Sequence, residues 1–264
     1  MSPELYFWFA LAIKMATAAL FVITATVAAE RAGPAIGALI ATLPVSAGPS
    51  YVFLALDHDP AFISASALSS LALNAATAIY ATAYVLLAQR GSFAIAVPGA
   101  FATWLVTAAL VMVMPLTLFI AILLNLVVFP LCFFIVREHR HVPAPPRRLR
   151  WYDFALRALL VALLVAAVVT LSFRIGARAT GILAAFPVVF TSIMFILHQR
   201  IGGRAAAAVL ASGILGLAGF GTAVLTLHLA AVPIGNAPAL ALALLVAVIW
   251  NLGLYALTPR KRPH

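Results

Sequence analysis

Arg31-Ala32-Gly33-Pro34-Ala35-Ile36-Gly37-Ala38-Leu39-Ile40-Ala41-Thr42-Leu43-Pro44-Val45-Ser46 is written twice in this chain. The second copy is Arg174-Ile175-Gly176-Ala177-Arg178-Ala179-Thr180-Gly181-Ile182-Leu183-Ala184-Ala185-Phe186-Pro187-Val188-Val189. An offset of 143 aligns Arg31 with Arg174, Gly33 with Gly176, Ala41 with Ala184, Pro44 with Pro187 and Val45 with Val188. In both copies a proline stands inside an apolar run, thirteen residues after the arginine. Working outward, the same offset pairs Lys14 with Arg157, Ala19 with Ala162, Leu20 with Leu163 and Val22 with Val165. The duplication therefore takes in the preceding apolar run as well.

Of the 264 residues 66% are hydrophobic and only 8% are charged, against about 25% charged in a soluble domain. A chain this apolar takes the bilayer as its solvent, where the backbone must satisfy its own polar groups in helices or closed barrels. The apolar runs are about 20 residues long and do not alternate, which selects helices. Cys132 is the single cysteine and lies inside an apolar run, so no intramolecular disulfide forms and metal-ligand spacing is missing. The net charge of +10 sits largely in the 137–150 linker and the 260–262 tail. That is the loop bias which orients membrane proteins rather than a nucleic-acid footprint. The run 5–29 lacks a basic n-region, contains Lys14 and is too long for a signal-peptide core, so it reads as a retained helix.

The pattern predicts an all-α polytopic integral membrane protein with about nine spans, the range being 8–10. They fall near 5–29, 35–56, 61–88, 93–113, 115–136, 154–173, 180–198, 205–231 and 238–258. Turn chemistry marks the junctions at Gly33-Pro34, Asp59-Pro60, Arg90-Gly91, Met114-Pro115 and Gly202-Gly203. Segments 93–113 and 115–136 follow each other so closely that they are either two spans or one bent element. The organisation is an N-terminal repeat (1–136), a basic proline-rich linker (137–152) and a C-terminal repeat (153–264). The positive-inside rule places the linker and C-terminus in the cytoplasm and the N-terminus outside, in the cytoplasmic (inner) membrane. Five spans separate the two copies, and an odd number inverts the second. Arg174 then lies outside as the image of cytoplasmic Arg31. Inverted-topology repeats with proline-broken helices carry substrate near the midplane, between the copies. The five-span inverted repeat resembles the organisation of drug/metabolite transporters, which have ten spans. With nine spans counted and no diagnostic motif, no residue role is carried over.

Candidate substrate-binding residues follow. Pro44 and Pro187 each remove a helical hydrogen bond, and Thr42 and Ser46 flank the first of them. Ser66, Ser70, Asn74 and Thr77 form a stripe on one face of the third span. It is either a solute wall or helix–helix glue. Asn74 is the costliest of these to bury, and Asn125 and Asn251 are further amides within spans. In the eighth span, Ser212, Gly213, Gly216, Gly219 and Gly221 read as close packing. Lys14 lies about ten residues into the first span, where it either snorkels to the outer surface or binds an anionic group. Arg174 and Arg178, on the outer side, are candidates for attracting an anion. Glu30 is a candidate proton carrier. Arg157 is expected to pair with Asp153, His198 and His228 to be interfacial, and Asp57-His58-Asp59 to form a solvated loop. No nucleophile–base pair, phosphate loop or metal-ligand spacing occurs, so neither an enzyme nor a cofactor is expected.

The expected function is a secondary-active transporter of a small organic solute, anionic solutes among them. The alternatives are a lipid or isoprenoid-carrier flippase, or a non-transporting scaffold subunit. Membrane lipids and a small-molecule substrate are the expected partners, with no nucleic acid, and a homodimer is compatible with the sequence.

Overall fold

The structure is a computed structural model describing residues 2–31, 47–141 and 150–257. Thr42, Pro44 and Ser46 lie outside the described residues, as do the side chain of Glu30 and most of the linker. The described chain is all-helical. Its elements are α1 (Pro3–Arg31), α2 (Ala47–Asp57), α3 (Pro60–Leu87), α4 (Phe93–Val113), α5 (Leu118–Val136), a 3₁₀ turn (Arg137–His141), α6 (Trp151–Ala184), α7 (Val188–Ile201), α8 (Gly203–Ile234) and α9 (Asn236–Leu257). Among the described residues seven helices are long and apolar enough to cross a membrane: α1, α3, α4, α5, α6, α8 and α9. The chain is a helical integral membrane protein.

Local chemistry fixes several of the boundaries. Asp59 caps α3 by accepting from the Phe62 N–H at 2.8 Å, with Pro60 at the first helical position. Thr117 caps α5 through the Ile120 N–H at 3.3 Å. Met114 and Thr117, flanking the α4–α5 junction, have extended backbone, so 93–136 forms two helices and not one bent element. The C-terminal part of the chain departs from the expected spans 154–173 and 180–198. Helix continues from Trp151 to Ala184 through a kink at Gly176, whose φ of 74° only glycine adopts without strain. It then breaks over 185–187, and Pro187 caps α7. The break falls at the proline because a ring in place of the N–H cannot continue the ladder. Pro130 and Pro98, by contrast, sit inside continuous α5 and α4.

Helix α3 is the centre of the molecule. Of its most apolar window 78% is buried, against 17% for α1 and for α5. It packs against α4, α5, α6 and α8. Its face is built of alanine and serine, which lets backbones approach closely, the usual basis of helix association in lipid. The outer faces of α4 and α5 carry Leu105, Leu110, Phe119, Leu126 and Phe134, all exposed, as lipid-facing helices require.

Candidate functional site

An apolar cleft of about 440 Å³ opens between α1, α2, α8 and α9. That volume suits a drug-sized ligand. Ala18 and Phe21 come from α1, Gly48 and Phe53 from α2, Ala223 from α8 and Leu244 from α9. The space exists because small residues stand where the helices converge. Two hydroxyls reach its walls, and both are engaged. Thr17 donates to the Ile13 carbonyl at 2.8 Å. Tyr51 donates to Ser70 Oγ at 2.6 Å, and Ser70 donates onward to the Gly181 carbonyl at 2.6 Å. Among the described residues the cleft therefore offers contact area and no free hydroxyl. Phe21 and Leu244 are 51% and 53% exposed, so its mouth faces sideways into lipid.

One ion pair stands about a helical turn beyond the cleft lining, next to Phe53. Lys14 Nζ lies 2.5 Å from Asp57 Oδ2 and 6.0 Å from the centroid of Phe53, whose ring lines the wall. Both charged side chains are only about one-fifth exposed, at 18% and 22%. Lys14 is thus engaged across α1 and α2, with no need to snorkel. The Asp57-His58-Asp59 loop, expected to be solvated, is a knot instead. His58 Nε2 donates to Ser172 Oγ at 2.8 Å, because the serine hydrogen already goes to the Val169 carbonyl. The His58 ring stacks on Phe62 at 3.8 Å, and Asn236 Nδ2 donates to the His58 carbonyl at 2.9 Å.

Comparison with protein-family models, curated proteins and solved structures finds no match. Function therefore has to be read from this geometry alone.

The remaining predicted residues divide sharply. The stripe on α3 does not face the cleft. Ser66 donates to the Ala177 carbonyl at 2.9 Å and Ser70 to that of Gly181, so both clamp α3 to the short helical stretch after Gly176. Asn74 Nδ2 donates to Asn125 Oδ1 and to the Leu217 carbonyl, each at 3.0 Å. Asn125 Nδ2 in turn reaches the Leu71 and Ala121 carbonyls at 2.8 Å. These amides tie α5 and α8 to α3. Asn251 is buried, and among the described residues neither end of its amide has a partner. Arg174 is exposed. Arg178 donates to the carbonyls of Val111 and Met114 and so caps the negative end of α4, which occupies the group expected to attract anions. Asp153 pairs bidentately with Arg200, at 2.8 and 2.9 Å, and accepts from the Arg150 N–H. Arg157, the expected partner, also acts on Asp153 through its charge. His198 and His228 meet Tyr84 Oη at 2.9 Å and Ser64 Oγ at 3.0 Å, so both knit helices together. Among the described residues no three His, Cys, Asp or Glu side chains converge on a metal position.

Pro187 is buried beside an aromatic cluster. Phe186 stacks edge-on against Trp104 at 5.1 Å and lies 6.1 Å from Phe101, which meets Tyr80 at 5.6 Å. Tyr80 Oη donates to Thr191 Oγ1 at 2.9 Å, since the threonine hydrogen goes to the Pro187 carbonyl. Aromatic rings crowd the break at Pro187, and the cleft lies elsewhere. The sequence missed the cleft because no polar or charged residue announces it.

His58 makes the knot sensitive to acid. Partial burial lowers its pKa below the ordinary imidazole value, outweighing Asp57 and Asp59, which raise it. The folded state thus prefers the neutral ring. Above the ordinary value of about 6.5 the residue contributes no pH dependence. Below it the unfolded chain takes a proton that the folded chain resists, so stability falls as pH falls. Melting temperature in detergent should drop between pH 7.5 and 5, and His58→Asn should flatten that slope. An unchanged slope in the variant would remove His58 from the effect.

Proposed function

We propose that the chain is a secondary-active transporter made of two inverted-topology copies, which moves a small organic solute by alternating access between them. It works in the cytoplasmic membrane, with the N-terminus outside. The observation that carries this reading is the composition of the cleft: α1 and α2 come from the first copy, α8 and α9 from the second.

Support for the duplication comes from helix boundaries. Helices α3 and α8 begin at Pro60 and Gly203, and α4 and α9 at Phe93 and Asn236, each pair 143 apart. Trp8 and Trp151, also 143 apart, are exposed near the starts of α1 and α6, as interfacial anchors are. Asp57 and Arg200 share the same offset. Each ends the short helix of its copy and pairs with the long helix before it, to Lys14 on α1 and to Asp153 on α6. The signs are reversed, acidic at the end assigned outside and basic at the end assigned inside, as the loop bias prefers. Asn74 bonds the carbonyl of Leu217, its own counterpart, where a two-fold relation between copies would bring α3 and α8 together.

Alternating access is supported by a difference between the halves. Gly48, Ala223, Leu227 and Leu244 line the cleft. Their counterparts are Thr191, Tyr80, Tyr84 and Phe101. Tyr80 and Tyr84 are fully buried. One half is open and the matching half is plugged, which is one state of a two-state carrier.

The test is flux. Purified protein in proteoliposomes should catalyse saturable, gradient-dependent uptake of at least one class in a panel of organic cations, anions and neutral solutes. Filling the cleft with Ala223→Trp should abolish it. Absence of saturable flux across the panel sinks the reading. The sideways mouth at Phe21 and Leu244 favours one second reading, a lipid flippase, which would appear as stoichiometric lipid in mass spectra of the purified protein.

A further inference from the structure

We infer that the cleft takes an organic cation with an apolar, aromatic-compatible body, which replaces Lys14 as the partner of Asp57. This deepens the transport reading and rests on it. The cleft wall is apolar, so the body of the ligand must be apolar too. What decides its charge is the asymmetry of the Lys14–Asp57 pair, which stands beside the lining residue Phe53 within reach of a ligand that extends past it.

Asp57 is the last residue of α2, at the end where the aligned peptide dipoles are negative, with the Leu54 and Ala55 carbonyls accepting from the His58 N–H and Asn236 Nδ2. A carboxylate there gains nothing from the helix. Among the described residues its one cationic partner is Lys14. An anionic ligand that drew Lys14 away would leave that carboxylate, four-fifths buried, against a negative helix end. A cationic ligand does the reverse. It satisfies both the carboxylate and the helix end, and frees a lysine whose flexible stem can carry its ammonium to the nearby surface. The rings agree with this sign. Phe21, Tyr51, Phe53 and Phe220 line the cleft, and ring faces attract cations. Lys14 already stands 6.0 Å from the Phe53 centroid, so a cation occupies that place in the unliganded protein. Entry through the mouth at Phe21 and Leu244 suits a solute that partitions into lipid first.

The experiment is equilibrium binding to the full-length protein in nanodiscs of anionic phosphatidylglycerol. The probes are tetraphenylphosphonium, its isostructural anion tetraphenylborate, and the uncharged N-phenyl-1-naphthylamine. Tetraphenylphosphonium should bind in preference to the borate. Asp57→Asn should weaken it about tenfold or more, one charge-assisted contact being worth at least that. Lys14→Met should tighten it by about two- to fivefold, the strength of a partly exposed ion pair that no longer competes. A merely structural pair predicts weakening in both variants. Lys14→Met/Asp57→Asn removes both charges together, guards against misfolding, and should lose the cation preference. If phosphatidylcholine in the nanodiscs competes with tetraphenylphosphonium, a lipid headgroup supplies the same quaternary chemistry. Borate binding as well as the phosphonium, or binding indifferent to Asp57→Asn, overturns the cationic assignment while binding of the uncharged probe leaves the cleft standing. If none of the three probes binds, the transport reading falls as well.

Discussion

Gly181→Ala is expected to be among the most damaging single-atom-scale changes in the chain. A Cβ built at Gly181 would lie 2.0 Å from the Ser66 carbonyl oxygen, 2.7 Å from its carbon and 2.9 Å from the Ser66 Cα. All three are backbone atoms, so no rotamer change relieves the clash. Helix α6 must move away from α3. That breaks the bonds from Ser66 to the Ala177 carbonyl and from Ser70 to Gly181, and with them the relay from Tyr51. Overpacking alone costs about 1–3 kcal/mol. Hydrogen bonds between membrane helices average about 0.6 kcal/mol each. A loss of about 3 kcal/mol is a large part of a total that is typically about 5–15 kcal/mol. The control is Gly253→Ala, since nothing lies within 4 Å of that position. Fluorescence-monitored melting in detergent should show Gly181→Ala unfolding many degrees early and Gly253→Ala unchanged. Equal melting temperatures for Gly181→Ala and wild type would mean that α3 and α6 are not held at this distance.

That prediction marks where the sequence stops being legible. Span lengths, the caps at Asp59 and Thr117 and the break at Pro187 follow from local rules, and local rules can be read along a chain. The polar stripe on α3 was legible as a stripe, but its use was not. Whether Ser66 and Ser70 face solute or backbone depends on how closely another helix comes, and that is set by Gly181, more than a hundred residues away. Lys14 has a similar history. Its charge was visible, but its partner Asp57 lies 43 residues on and belongs to a loop read as solvated. Arg178 reads as an anion attractor until the end of α4 is seen to deliver two carbonyls to it. The cleft was hidden for another reason. It consists of missing volume, and volume is missing only relative to something. Comparing the copies position by position supplies the reference. At the offset of 143, Ala47 faces Phe190, Gly48 faces Thr191 and Ala223 faces Tyr80. The difference was in the sequence, and it takes on meaning under the proposed reading of the two halves as alternative states of one pathway.

The same comparison gives the second large effect. If the plug and the cleft are two states of equivalent positions, exchanging their side chains should exchange which side is open. The double variant Tyr80→Ala/Ala223→Tyr moves one ring from the plug to the cleft. Adding Tyr84→Leu/Leu227→Tyr moves the second ring and releases His198 from its 2.9 Å bond to Tyr84. Total side-chain volume is conserved, but each emptied aromatic site costs about 3–5 kcal/mol by itself unless that half opens as a cleft, so folding of the variant is checked by its melting temperature. Reporter cysteines go into a Cys132→Ala background at Val224, which lines the cleft, and at its counterpart Ala81. With native side chains elsewhere, Val224→Cys should react with the lipid-soluble N-phenylmaleimide, which reaches the cleft wall through its lipid-facing mouth. Ala81→Cys, fully buried beneath the plug, should react from neither side. In the double swap Val224→Cys should lose much of its labelling. In the quadruple swap Ala81→Cys should become reactive toward the same lipid-soluble reagent while Val224→Cys is silent. Flux should fall steeply in the same variant, because a carrier held in either state cannot cycle, and a bias of about 1.4 kcal/mol already shifts the balance tenfold. A static membrane scaffold predicts something different, namely lost packing at both positions and labelling at 81 without protection at 224. Unchanged labelling at both cysteines in a folded quadruple variant would end the two-state reading, because side-chain volume at these four positions would then not decide which half is open.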